Sequence, residues 1–264
     1  MKIVVIYKWA PDPQNAVVAD DGTINWGVKR AISEYDPVAM SAARIFADSV
    51  STIGTTVELI GLTAGDSSVA SPKATQAAAS RGLDSLVVIS DDSLVNASAN
   101  IYAHVLAAGI AKIGDVDLII AGDASADIGA QVVPGLLAGR LGLPSFADVN
   151  KIESTPQGVQ IERHISITKQ TILLNSPAVI AVSTDAAPIP LIGMKDMMAA
   201  RKKPVTKLTL SDLGISAEID VEKTTTSVIQ RTKPEVKPRK QIIFDSDNAA
   251  AELVAALRAE GVIS

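Results

Sequence analysis

What most constrains the fold of this chain is an alternation. Short apolar runs at residues 2–7 (KIVVIY), 57–62 (VELIGL), 85–89 (SLVVI) and 118–121 (LIIA) are each followed, directly or after a loop, by a helical segment. Runs that are apolar on both faces must be covered on both sides, which is the condition of a central parallel strand. Asp36-Pro37 carries the start signal of a helix reaching to about residue 51, with Asp as N-cap and Pro in the first turn. Ser71-Pro72 starts a second helix, which Arg81-Gly82 stops. Residues 96–113 and 130–141 supply two more helices. Such an order gives an open, mostly parallel α/β sheet flanked by helices. Aromatics make up only 3% of the chain, so the core is built from Ala, Val, Ile and Leu, the residues that fill such a sheet and its Ala-rich helices. Ligands in these sheets bind beyond the carboxyl ends of the strands, here Tyr7-Lys8, Thr63-Ala64-Gly65, Ser90-Asp91 and Gly122-Asp123.

The most informative of these ends is 117–134, DLIIAGDASADIGAQVVP. A buried strand gives way to a small-residue loop, Gly122 to Gly129, and then to a helix N-terminus. Unpaired N–H groups at that terminus and a loop without bulk suit an anion such as a phosphate; an ordinary strand-to-helix turn has the same outline. Asp123 and Asp127 have the chemistry of magnesium ligands or, equally, of loop-ordering and capping residues. No GxGxxG follows the first strand and no GxxxxGK[ST] occurs, which argues against a Rossmann dinucleotide site at the N-terminus and against a P-loop. With no cysteine, disulfides, thiolate catalysis and cysteine-ligated clusters are excluded. The two histidines, His104 in an Ala-rich helix and His164 in a strand on the same face as Glu162, make neither a His-rich metal site nor a catalytic triad. Asp20-Asp21 and Asp91-Asp92 read as turn acids. A net charge of −5 gives no basis for nucleic acid as partner. No apolar run approaches the roughly 20 residues that span a bilayer. A soluble cytoplasmic protein with no direct membrane insertion is expected.

After Gly142-Leu143-Pro144 the texture becomes β-rich, with strands expected over 146–152, 159–167, 171–174 and 177–183 extending the sheet. From residue 184 the pattern loosens. Residues 186–204 hold three prolines, three methionines and the cluster Arg201-Lys202-Lys203, and 205–240 read as extended and poorly periodic. A final helix is expected over 248–260, with Ala251, Leu253, Val254 and Leu257 on one face. The division is thus an α/β domain over 1–183 and, over 184–264, an arm that cannot bury itself and needs another surface. Flexible, polarizable Met side chains suit a docking surface.

Taken together and in order, KIVVIYKWAPD, GVKRAISEYDPVA, LIGLTAGD, GDASADIGAQVVPGLLAGRLGLP, SPAVIAVST and MKDMMAARKKPVTKLTLSDLGI resemble the β subunit of electron-transfer flavoprotein over nearly the full length. Asp127 with Gln131 and Pro134, and 197–203 followed by Leu213-Gly214, are the most specific pieces. The resemblance implies an adenine-nucleotide α-hydrolase-like sheet and one half of an αβ heterodimer. A structural AMP would be held by Ile6, Ser33, Glu34, Tyr35, Asp36, Ala64 and the loop Gly122, Asp123, Ala124, Ser125, Ala126, Asp127, Ile128, Gly129, Ala130, Gln131, Val132. FAD would be bound mainly by the α subunit. The segment Pro190, Leu191, Ile192, Gly193, Met194, Lys195, Asp196, Met197, Met198, Ala199, Ala200 would dock on a flavin-dependent dehydrogenase, of the trimethylamine or acyl-CoA type, with Met194 at the position of the family's anchoring leucine. The electron acceptor would be a membrane quinone oxidoreductase, and the last helix would wrap around the α subunit. It implies an electron carrier in a bacterial cytoplasm, with no catalytic residues and no metal of its own. The chain departs from the family at Ser33-Glu34, where Asn-Pro is usual, in a loop one residue shorter over 127–131, and at Arg163 to Thr168, where Arg-Glu-Ile-Asp-Gly-Gly is common. It also has Pro13 where some members place a tyrosine near the flavin. The competing reading is a stand-alone adenine-nucleotide-binding protein or ATP-using enzyme on the same sheet.

Overall fold

The computed structural model describes every residue except 53, 176, 216–228, 237, 239, 240 and 264. Strand β1 (Lys2–Ile6) is followed by two small antiparallel ladders, in which β2 (Trp9–Pro11) pairs with β5 (Arg30–Ile32) and β3 (Val17–Val18) with β4 (Ile24–Asn25). The alternating part comprises α1 (Asp36–Thr52), β6 (Glu58–Gly65), α2 (Pro72–Ala79), β7 (Ser85–Ser90), α3 (Ala99–Ile113), β8 (Leu118–Gly122) and α4 (Val133–Leu141). An antiparallel run β9 (Ser145–Thr155), β10 (Gly158–Ile165), β11 (Thr168–Leu174) precedes β12 (Ala178–Val182). Helix α5 (Met194–Ala200), strand β13 (Val205–Leu208) and helix α6 (Ala249–Ala259) follow.

Nine strands form one sheet in the order β11-β10-β9-β12-β8-β1-β6-β7-β13. All neighbours from β9 to β13 run parallel, and β10 and β11 extend that edge antiparallel. This is the expected open, mostly parallel α/β fold. Successive strand residues face opposite sides. Val4, Ile60, Leu62 and Ile119 pack with α3 and α4, while Ile3, Val5, Leu59 and Ile120 pack with α1 and α2. Both faces are apolar because both are covered, which is why the strands read as continuous runs.

The helix signals hold at α2, where the Ser71 hydroxyl accepts the Ala74 N–H and Pro72 opens the first turn. Asp21 and Asp91 are turn acids, accepting the N–H groups of Thr23 and Ser93. Three expectations need correction. Asp36 is not an N-cap: it is buried, and its carboxylate crosses to the strand ends instead. The helix expected from residue 130 begins at Val133, because Gly129 and Gln131 both take positive φ, which no right-handed helix accommodates. Part of the segment after 184 does bury itself. β13 pairs with β7 as the outermost strand, and Ala200 and Leu210 join the core. Three of its four side chains are exposed and one is a lysine, so no apolar run marks it as a strand before its pairing partner is known. Much of the stretch expected to be extended over 205–240 lies outside the described residues.

Candidate functional site

From β1 the chain moves through β6 and β7 towards one edge, and then returns at β8 to the other side of β1. Connections leaving β1 and β8 therefore diverge to opposite faces, and a crevice opens between their carboxyl ends. Helix α1 lies on one side of it and α4 on the other.

Lys8, just past β1, knits this crevice together. Its N–H donates to Asp36 Oδ2 at 2.7 Å, and its carbonyl accepts the Ser33 N–H at 3.0 Å. Its ammonium holds both carboxylate oxygens of Asp127, at 2.9 and 2.7 Å, across 119 residues of chain. Asp36 also accepts the Gly122 N–H, so one buried carboxylate ties the ends of β1 and β8 to the start of α1. The approach is close: a Cβ at residue 122 would lie 2.8 Å from Asp36 Oδ1 and 2.8 Å from Tyr35 Cβ, and only glycine fits. Burial pushes Asp36 up to about 7, against the N–H bond and positive charge of Lys8. Beside it the Tyr7 hydroxyl is buried without a hydrogen-bond partner, and burial with the Asp36 charge raises its ionisation well above the usual phenol range.

The loop 123–132 leaves β8 with the Asp123 N–H on Val182 O at 3.1 Å. Its middle is held twice on the β1 side, by Lys8–Asp127 and by the Ala126 N–H donating to Ser33 Oγ at 3.1 Å. Burial alone would raise Asp127, but the Lys8 ammonium, helped by Ser125, holds it below the usual carboxylate range. Asp127 thus orders the loop, and it does so through a lysine and not by capping α4. Helix α4 starts with no side-chain cap, and Pro134 has no N–H, which leaves the first-turn donors of Val133 and Gly135 available. Burial, together with the neighbouring Asp148 carboxylate, raises Asp123, and the Asp148 N–H reaches its Oδ1 at 3.4 Å. Among the described residues no group of three His, Asp or Glu side chains comes together to hold a metal.

Of the sequence-derived residues, Ile6 and Ala64 form an apolar floor with Ala121. Ser33 and Asp36 are buried beside it, Tyr35 is half-buried and Glu34 exposed. Gly122 is buried, Asp123 to Asp127 are half-buried, and Ile128 to Val132 are exposed on the outer limb of the loop. Sequence reasoning missed Lys8 as a site residue, and Arg30, which pairs with Asp66 at 3.1 Å near the end of β6. A lysine directly after an apolar strand was the available signal; its partner was not. On the rim, a cleft of about 240 Å³ is lined by Pro11 to Gln14, Lys29, Ala31 to Glu34 and Ala126.

A second feature lies across α2. The segment before α5 is tied down by the Ser41 hydroxyl on Pro188 O at 2.6 Å, and α5 by the Gln76 side-chain amide on Met197 O at 3.1 Å. Lys203 is not a solvated cation: its ammonium donates to Ala79 O at 3.0 Å and to Leu83 O, closing the end of α2. Asp196 turns back to accept the Gly193 N–H. Large apolar side chains remain outward beside charged ones: Leu191 is 98% exposed, Met194 76% and Met198 63%. Glu162 pairs with Lys169 and His164 with Asn150, while His104 lies exposed beside Arg140.

Fold and site together define a doubly wound α/β protein with a polar crevice at its switch point, closed by a tied small-residue loop. A family model for the electron transfer flavoprotein domain matches residues 23–213. The chain belongs to the electron transfer flavoprotein family, whose members are flavin-associated electron carriers rather than enzymes. No helix among the described residues is long and apolar enough to cross a membrane.

Proposed function

We propose that the chain is the β subunit of a heterodimeric electron-transfer flavoprotein, which accepts electrons from a flavin-dependent dehydrogenase and delivers them towards a membrane quinone oxidoreductase. The observation that carries this reading is the crevice. It combines an apolar floor, a small-residue loop and an uncapped helix N-terminus, and among the described residues no acidic or histidine cluster comes together to hold a metal. That combination fits a nucleotide that is held but does not react. AMP would be held by Ile6 and Ala64 from below, by Ser33 to Asp36 at the side and by residues 122–132 above. Its phosphate would meet the free N–H groups of α4.

FAD, carried mainly by the α subunit, would supply the redox chemistry. This chain's residues would shape its surroundings, and Pro13 lines the rim cleft at the family position that in some members is a tyrosine near the flavin. The exposed segment Pro190 to Ala200 would dock on the dehydrogenase, of the amine or acyl-CoA type, with Met194 as its apolar anchor. Residues 1–183 would then form the AMP-binding domain, and 184–264 would serve docking and assembly, with α6 lying on the α subunit. In a bacterial cytoplasm such a heterodimer would work as a diffusing carrier.

Co-expression with the candidate α subunit tests this. The expected product is a yellow 1:1 complex that releases one AMP and one FAD on denaturation. A colourless homo-oligomer that hydrolyses ATP would overturn the proposal in favour of the stand-alone enzyme.

A further inference from the structure

We infer that Lys8 is a positioning residue which, paired with Asp127, latches the loop 123–132 over the crevice and sets how slowly a bound nucleotide escapes; this rests on the AMP reading. Among the described residues the loop is tied to the β1 side at two points beyond its own turn. One is the Lys8–Asp127 pair, the other the Ala126 N–H on Ser33 Oγ. Both lie on its inner limb, whereas Ile128 to Val132 are exposed. Gly129 and Gln131, at φ 63° and 56°, separate this outer limb from the start of α4.

The two partners of the ion pair differ in a way that suits a latch. The Asp127 side chain is 7% exposed and that of Lys8 39%. A carboxylate so sheltered is stable in place only while its cation is present, since removing one partner leaves an uncompensated charge. Lys8 itself cannot drift. Its N–H is held by Asp36 and its carbonyl by Ser33, which also holds the second tie through its hydroxyl. The end of β1 and the start of α1 therefore form a fixed frame from which both ties reach the loop. Any ligand seated between the strand ends and α4 has to lift this loop in order to leave, and lifting it breaks both ties.

The test is an exchange measurement on the purified heterodimer, loaded with isotopically labelled AMP and chased with excess unlabelled AMP. Wild type should release the label slowly. Lys8→Met and Asp127→Asn should release it faster, on the order of tenfold. Lys8→Arg, which keeps a cation with two donors for the carboxylate, should stay close to wild type. Should Lys8→Met fail to assemble, Lys8→Gln keeps a polar side chain of similar reach without the charge and should also speed release. Equal release rates for wild type and the uncharged variants would overturn the latch while leaving the nucleotide reading intact. A wild-type heterodimer that contains no AMP overturns the nucleotide reading, and the latch with it.

Discussion

At the scale of single residues, the sharpest departure from expectation is Asp36. Its position before Pro37 suggested a helix cap, a role that is solvent-facing and local. Instead the residue is 5% exposed and its carboxylate serves two strand ends, with Lys8, Asp127 and Tyr7 as the charged or titratable groups around it. Burial outweighs the Lys8 interactions and raises it from the ordinary 3.8 to about 7. Between these values the folded chain binds a proton that the unfolded chain has released. Stability from this group is therefore greatest below about pH 4 and is lost as pH rises through 7. Denaturant midpoints of wild type should carry a falling contribution from pH 5 to pH 8, worth on the order of a few kcal/mol at most. Asp36→Asn should flatten that slope. An unchanged slope in the variant would show that Asp36 is not the titrating group.

At the scale of elements, α5 was legible only as a Met-rich, proline-flanked stretch. Its seven residues make less than two full turns, too few for a helical period to be convincing. Tertiary ties fix it in place. Lys203, one of the three cations of the cluster Arg201-Lys202-Lys203, closes α2, so the basic character of the outward face comes from Arg201 and Lys202, which are exposed. The anchoring role proposed for Met194 makes a clear prediction at this scale. Met194→Ala should slow electron transfer from the cognate dehydrogenase by roughly tenfold, as truncating a buried interface anchor does. FAD and AMP content should be unchanged. Stopped-flow reduction of the heterodimer reads this directly, and identical transfer rates would remove Met194 from the interface.

At the scale of the whole molecule, the sheet and the helices α1 to α4 packed on it supply most of the buried apolar side chains, and α6 supplies none. Leu253 and Val254 lie on that helix half-exposed, as a helix with an absent neighbour presents them. Deleting residues 241–264 should leave the thermal stability of the isolated chain within about 0.5 kcal/mol of the full chain. Affinity for the α subunit should fall by at least tenfold, which is about 1.4 kcal/mol. Calorimetry of the isolated chain and titration against the partner separate the two effects, and a deletion that unfolds the chain would contradict the expectation.

The sequence by itself determined the layered α/β class, the strand ends that matter and the small-residue loop. Each of these rests on short-range pattern: apolar on both faces, an N-cap beside a proline, a run without side-chain bulk. Only the tertiary structure decided which strand ends face each other, because sheet order is set by pairing between segments far apart in the chain. It also decided that Lys8 meets Asp127 and that Asp36 is buried. A charged residue in an exposed turn and one in a sealed crevice look the same in sequence, and only the packing around them separates the two.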